Sequence, residues 1–410
     1  MRRDLAINGG PRVRDKAWPS WPVIHPEDEA AVLDVFRSGR WGRLGGNRTA
    51  EFEAAFAEYQ GCTCGLAVFN GTVALQLALL AAGIGEGDEV IVPPYTFLAT
   101  ATSAILCNAT PVFADIHPDT YCLDPDRVEE AITPRTRAII PVHLGGRPAD
   151  MDRICRIAAK HDLSVIEDCA HAHGSEYNGR RVGSLGDMGC FSFQASKNLT
   201  SGEGGIVVTN DEKLHATCDS IHNCGRVPDG EWYDHRALAM NLRITEFQSA
   251  LLLRGLGRLD AETDTRDANG RYLDEKLAEI PGIRPLPRMK YETRHARHLY
   301  VFRYDAEAFG GVPRERFLEA VDAEGIPVSA GYSVPLYRQR IFTDKVFGPY
   351  TGYKTVRPDI DYAAVECPAC EAACKEGCWI PQTALLATRD DMDDIVRAIQ
   401  KVYEGRDTLR

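Results

Sequence analysis

"EVIVPPYTFLATATSAILCNATPVFADI", residues 89–116, opens on three consecutive β-branched side chains, passes through a helical stretch and ends in a second short apolar run. Two strands joined through a helix run parallel, because a tight turn can only join antiparallel neighbours. The same rhythm extends outward on both sides. "GLAVFN" (65–70), "RAIIPVHL" (137–144), "LSVIEDC" (163–169), "GCFSF" (189–193) and "GGIVVTN" (204–210) are further runs of strand length, with amphipathic stretches between several of them. Apolar strands alternating with helices predict an α/β unit whose mainly parallel sheet is covered on both faces. Ligands of such sheets sit at the carboxyl ends of the strands, so the residues just after each run are read most closely.

Beyond about residue 245 the pattern changes to long helical stretches, "EFQSALLLRGLGRLDAETDTRDANGRYLDEKLAEI" (246–280), followed by the strand-like "RHLYVFRYD" (297–305) and two further helices. We expect an N-terminal segment, 1–48, packing across domains or subunits, a large α/β domain, 49–260, and a small α+β C-terminal domain, 261–410.

Of the 410 residues, 44% are hydrophobic and 26% charged, with 47 basic against 59 acidic side chains and a net charge of -12. That field repels phosphate backbones and anionic lipid, and no basic run offsets it, so a small-molecule partner is expected, with no nucleic acid and no membrane. No run reaches the roughly 20 apolar residues of a membrane span, and no apolar region follows the first arginines, so the cytoplasm is the expected location. Thirteen cysteines in so long a chain fit reduced thiols better than a disulfide framework.

Four of them, Cys367, Cys370, Cys374 and Cys378 in "CPACEAACKEGC", suggest a metal centre. Their spacing is helical and puts all four on one face, with the outer two about 16 Å apart along the axis, too far for one ion. We expect an inward-facing stripe on one helix and no metal.

Chemistry concentrates in three places. "FNGTVALQLALLAAG" (69–83) leaves a strand, turns at Gly71 and enters an apolar helix at Thr72. Free N–H groups at a helix N-terminus suit a phosphate, although a capped buried helix explains Gly71 and Thr72 equally well. "LSVIEDCAHAHG" ends a buried strand in Glu167 and Asp168, followed by His171 and His173. A carboxylate there needs a cation or a donor, and a helix cap or internal ion pair would serve as well. No third ligand completes a metal site with the histidines, so ring stacking or a hydrogen bond is their expected role. "FSFQASKNLTSGEGG" (191–205) sets Lys197 between an alternating aromatic run and a glycine-rich turn, within reach of the sheet edge that carries Asp168. A lysine in a partly desolvated pocket gives up its proton readily and condenses with carbonyls. An amine, a carboxylate and a phosphate cradle together match pyridoxal phosphate.

The chain resembles the DegT-type sugar and cyclitol aminotransferases, fold-type I pyridoxal phosphate enzymes, almost from end to end. The resemblance is carried by "NGTVAL", "VIVPPYTFLATATS", "PVFADI", "PVHLGGRPADM", "VIEDCAHAHGS", "FSFQASKNLTSGEGG" and "MNLRITEFQSA", in that order. It implies that Lys197 is the Schiff-base lysine and that Asp168 keeps the pyridinium nitrogen protonated. It places His171 near the ring hydroxyl, Phe97 on the ring face, and Ser192, Gly71 and Thr72 at the phosphate. Asn241 matches a residue that reaches the neighbouring subunit's phosphate, which implies a homodimer with shared active sites. Two departures bear on the pocket: Asn70 stands where a serine is commoner, and "HLGG" where "HLYG" is usual.

The two ends of the chain look most like inosose aminotransferases and 3-amino-5-hydroxybenzoate synthases. By resemblance we expect ping-pong transfer of an amino group from L-glutamine or L-glutamate to a keto-cyclitol or keto-sugar in aminocyclitol or amino-sugar antibiotic biosynthesis. The alternatives are a nucleotide-linked keto-sugar acceptor or a dehydratase on the same cofactor. Trp41 and Tyr332 are candidate acceptor contacts, and packing accounts for each at least as well.

Overall fold

The computed structural model describes residues 4–227, 230–347 and 360–409. Helices α1 (Pro26–Ser38) and α2 (Arg48–Gln60) precede a repeating series: β1 (Cys64–Val68), α3 (Gly71–Ala81), β2 (Glu89–Val92), α4 (Leu98–Leu106), β3 (Thr110–Phe113), α5 (Pro125–Ala131), β4 (Thr136–Ile139), α6 (Met151–His161) and β5 (Ser164–Asp168). A hairpin, β6 (Glu176–Tyr177) and β7 (Arg180–Arg181), leads to β8 (Met188–Ser192), β9 (Gly205–Thr209) and α7 (Glu212–His222).

The seven runs read from the sequence are the seven strands of one sheet, ordered β1-β9-β8-β5-β4-β2-β3. Pairing is parallel from β8 through to β3, and β9 alone runs against its neighbours β1 and β8. The strands are short and almost wholly buried, which is why their composition is continuously apolar rather than alternating.

The second half begins with α8 (Glu246–Leu256) and α9 (Leu259–Leu277) and continues through β10 (Ile283–Pro285), β11 (Glu292–Arg294) and β12 (Leu299–Tyr304). Then follow α10 (Arg314–Ala323), the short α11 (Arg340–Thr343), α12 (Pro368–Glu376), β13 (Gly377–Pro381) and α13 (Arg389–Gly405). Strands β10, β12 and β13 form an antiparallel sheet that supports a second hydrophobic core with α10 and α13. Helix α9 starts in the first core at Leu259 and ends in the second at Leu273 and Leu277. The N-terminal segment also touches both regions: Leu5 is buried in the second core, while the Trp21 indole donates to the Ala195 carbonyl at 3.0 Å, beside Lys197.

The cysteine-rich stretch is not the single helical stripe expected. Helix α12 carries only Cys370 and Cys374; Cys367 caps its N-terminus and Cys378 lies in β13. Pro368 disfavours helical geometry at the residue before it, and Gly377 leaves the helix in an extended conformation. All four thiols are buried, but three belong to the first core and Cys378 to the second. Among the described residues no helix is long and apolar enough to cross a membrane.

Candidate active site

The carboxyl ends of β1, β2, β5 and β8 open into a cavity of about 530 Å³, closed on the far side by His298, Leu299, Tyr332 and Trp379. The N-terminus of α3 forms one end. Asn70 is extended at the cap, and its Oδ1 accepts the Val73 N–H at 2.9 Å, leaving the N–H groups of Gly71 and Thr72 for the cavity. Gly71 is required here, because a Cβ would sit 2.6 Å from Cβ of Ser192, the last residue of β8. Helix start and Ser192 hydroxyl are thereby pressed into one corner of the cavity, with the positive end of the helix dipole.

Asp168 closes β5 from the opposite side. Its Oδ2 accepts the Thr100 hydroxyl at 2.8 Å and its Oδ1 the Ala170 N–H at 3.1 Å, while Thr96 pairs with Thr100 at 2.9 Å. Burial raises the carboxyl above its ordinary range, opposed by these bonds and by the charge of Lys197.

The preceding residue, Glu167, points to the other face and is fully occupied. Its Oε1 accepts the N–H groups of Leu185 and Gly186, both at 2.7 Å, and its Oε2 accepts Gly183 N–H at 2.7 Å and His143 Nε2–H at 2.9 Å. His143 must carry its proton on Nε2, because its Nδ1 accepts the Ala149 N–H at 3.0 Å. His143, Glu167 and Cys169 lie close enough to suggest a metal centre, yet the carboxylate lone pairs are all engaged by donors. What this knot does is fix the end of β5, and with it Asp168.

Lys197 sits on a turn braced from several sides. Its N–H donates to the Gln194 carbonyl at 2.9 Å, the Thr200 hydroxyl and Ser201 N–H donate to the Phe193 carbonyl, and the Asn198 amide donates to the Ala296 carbonyl at 2.8 Å. The side chain is half-buried and lines the cavity with Asp168. Burial pulls its pKa down to about 8, against the opposing pull of Asp168.

His171 accepts the Gly145 N–H on Nδ1 at 3.2 Å, and its ring lies 4.4 Å from that of His298. The unusual glycine pair thus has a local role: Gly145 and Gly146 both take positive φ, and a Cβ on Gly146 would fall 2.9 Å from the His171 carbonyl oxygen. His173 packs instead between the rings of Phe191 and Phe193 at 5.5 and 5.7 Å, where burial lowers its pKa to about 3.

The cavity therefore brings together Lys197, Asp168, Gly71, Thr72, Phe97, His171, Ser192 and Tyr332. Phe97 is 62% exposed at its mouth. Tyr332 meets Trp379 edge-on at 4.8 Å and Tyr95 at 5.5 Å. Trp41 and Asn241 are not among the lining residues. Trp41 is half exposed and stacks on Phe36 at 5.8 Å; Asn241 is exposed and bridges to Asn223. Thr100, His298 and Trp379 escaped the sequence reading. A hydroxyl four residues after Thr96 in "YTFLAT" was a usable signal for Thr100, whereas nothing local marks His298 or Trp379.

Residues 22–400 match the DegT/DnrJ/EryC1/StrS aminotransferase family. The chain is 39% identical to the L-glutamine:2-deoxy-scyllo-inosose aminotransferases of Micromonospora echinospora, covering 99% of both chains, and of Streptomyces fradiae, covering 98% of both. Among solved structures it superposes on 3-amino-5-hydroxybenzoic acid synthase with a TM-score of 0.84 and 33% identity, over 94% of this chain and 98% of that one. An aminotransferase from Psychrobacter cryohalolentis matches with a TM-score of 0.83 and 31% identity, over 94% and 99%. The architecture is that of fold-type I transferases, and the chain is a member of the DegT/DnrJ/EryC1/StrS aminotransferase family.

Proposed function

We propose that the protein is a pyridoxal phosphate-dependent aminotransferase that moves the amino group of L-glutamine to a keto-cyclitol. The observation that carries this reading is the convergence of Lys197, Asp168 and the open N–H groups of α3 on one cavity. The residues fit the cofactor: Gly71, Thr72 and Ser192 would hold its phosphate, Asp168 would supply the counter-charge to a protonated ring nitrogen, and the exposed Phe97 would cover the ring. The names of the relatives support the donor and the acceptor class.

When bound, pyridoxal phosphate supplies an aldehyde that exchanges amino groups and a ring that accepts an electron pair. The chain does the rest. Lys197 Nζ, with its proton loosened by burial, would take a proton from the amino-bearing carbon of the donor and return it in the second half of the cycle. Asp168, held by Thr100 and Ala170, presents a fixed negative charge. His171 offers an Nε2–H donor, because Gly145 occupies its Nδ1.

Two subunits complete the site in this reading. Phe36, Leu44, Trp232 and Leu238 are exposed apolar side chains whose cover by a second copy would bring the exposed Asn241 toward the neighbouring cavity. We assign residues 49–260 to cofactor binding and 261–410 to the wall that closes over the substrate.

Purified protein incubated with L-glutamine and 2-deoxy-scyllo-inosose should yield the amino-cyclitol by mass, with ping-pong kinetics and a near-visible absorbance band that Lys197→Ala abolishes. Turnover of a nucleotide-linked keto-sugar with none of the cyclitol would overturn the acceptor assignment. A single-subunit mass on sedimentation would overturn the shared site.

A further inference from the structure

The rings of His171 and His298, tilted by 35° to each other, are fixed in opposite tautomers. Asn198 donates from Nδ2 to the Ala296 carbonyl, which turns its Oδ1 toward His298, and that oxygen lies 3.0 Å from His298 Nδ1. An amide oxygen only accepts, so His298 carries its proton on Nδ1. Gly145 donates to Nδ1 of His171, so that ring carries its proton on Nε2. Burial holds both rings neutral, far below the usual histidine range. At 4.4 Å between centroids, the pair therefore sets a donor beside an acceptor. His171 is accounted for by the cofactor reading. His298 is not: it lines the cavity, is 6% exposed, and its Nε2 lone pair has no partner within the chain among the described residues.

We propose that His298 is a positioning residue: its Nε2, unpartnered at rest, accepts a hydrogen bond from Nζ of Lys197 when the free amine turns within the cavity that both side chains line, steering it while it carries its proton. The inference rests on the reading of Lys197 as the reacting amine. Lys197 and Asn198 are consecutive, so one braced turn delivers the amine and sets the tautomer that receives it. The positive charge of Lys197 is felt by His298. A neutral acceptor is what an ammonium needs at close range, since a protonated imidazole would repel it. The other groups around the amine divide cleanly: Asp168 on β5 favours the ammonium, His171 and His173 are neutral, and Arg266 on α9 adds a positive charge behind the histidines.

The test measures proton affinity rather than turnover. On the full-length chain freed of cofactor, the rate of Lys197 labelling by an amine-reactive reagent is followed against pH by peptide mass. The wild-type midpoint is expected near 8. His298→Phe keeps a ring against His171 but removes the acceptor, and should lower the midpoint by about one unit, a tenfold loss of proton affinity. His298→Gln, which restores an amide oxygen, should recover most of that shift. An unchanged midpoint in folded His298→Phe overturns the proposal, as does an equal fall in both variants. Should His298→Phe fail to fold by circular dichroism, Asn198→Leu frees the proton of His298 to move to Nε2; a downward shift supports the contact and none overturns it. Borohydride reduction of cofactor-loaded wild type, with the tagged peptide located by mass, tests the underlying role separately. A tag away from Lys197 sinks that role while the labelling midpoints still report on the contact.

Discussion

The hydroxyl of Thr100 lies 2.8 Å from Oδ2 of Asp168, so the carboxylate at the end of β5 is held by a side chain from the first turn of α4. Two strand ends that are not adjacent in sequence are thereby locked around one charge.

Thr100→Val removes the side-chain donor to this buried carboxylate and leaves Thr96 without its partner. Losing a hydrogen bond to a charged group costs about 1.5–3 kcal/mol, so cofactor retention should weaken by roughly ten- to a hundredfold. The carboxyl pKa rises further, and the acid limb of cofactor retention moves to higher pH. Spectrophotometric titration at several pH values checks both; an unchanged acid limb would contradict the role of Thr100.

The amine of Lys197 loses its proton near pH 8 in the folded chain, against 10.5 for an ordinary lysine. The proton-abstracting half-reaction should therefore accelerate as pH rises through about 8, measured by rapid mixing with L-glutamine. The same shift has a stability sign. Between about 8 and 10.5 the unfolded chain binds more protons than the folded one, so stability attributable to this group rises with pH in that window. Lys197→Met should flatten that rise in urea unfolding of the cofactor-free chain.

Glu167→Gln replaces an acceptor for four donors with a group that turns its own N–H toward some of them. We expect a loss of about 3 kcal/mol in urea unfolding, from the breaking of a buried charged network. A loss under about 0.5 kcal/mol, the size of an ordinary surface change, would refute this role.

Gly331 adopts φ +60, and a Cβ there would fall 2.2 Å from the indole of Trp379. Gly331→Ala must displace the indole or the strand, at about 2 kcal/mol, and the wall it forms with Tyr332 moves with it. The KM for the keto acceptor should rise more than that for L-glutamine, and steady-state kinetics with each substrate varied separates the two.

The sheet was legible because its strands are buried on both faces and write themselves as short β-branched runs; every one, from "GLAVF" to "GGIVV", became a strand. Asp168 and the start of α3 were legible for a related reason, since the first closes such a run and the second directly follows one, and Lys197 comes four residues after another. The cysteine stretch misled because helical spacing was counted through Pro368 and Gly377, the two residues that bound the helix. His298 and Trp379 were out of reach because their place depends on the second core folding back over the cavity, a long-range contact that local sequence does not encode.

Helix α9, at 19 residues about 28 Å long, has its first leucine in one core and its last two in the other. A rigid rod seated at both ends couples the melting of the two halves, so calorimetry on the intact chain should record one endotherm instead of two. Such a rod would also hold the gape of the cavity, set by its length rather than by the flexibility of a hinge.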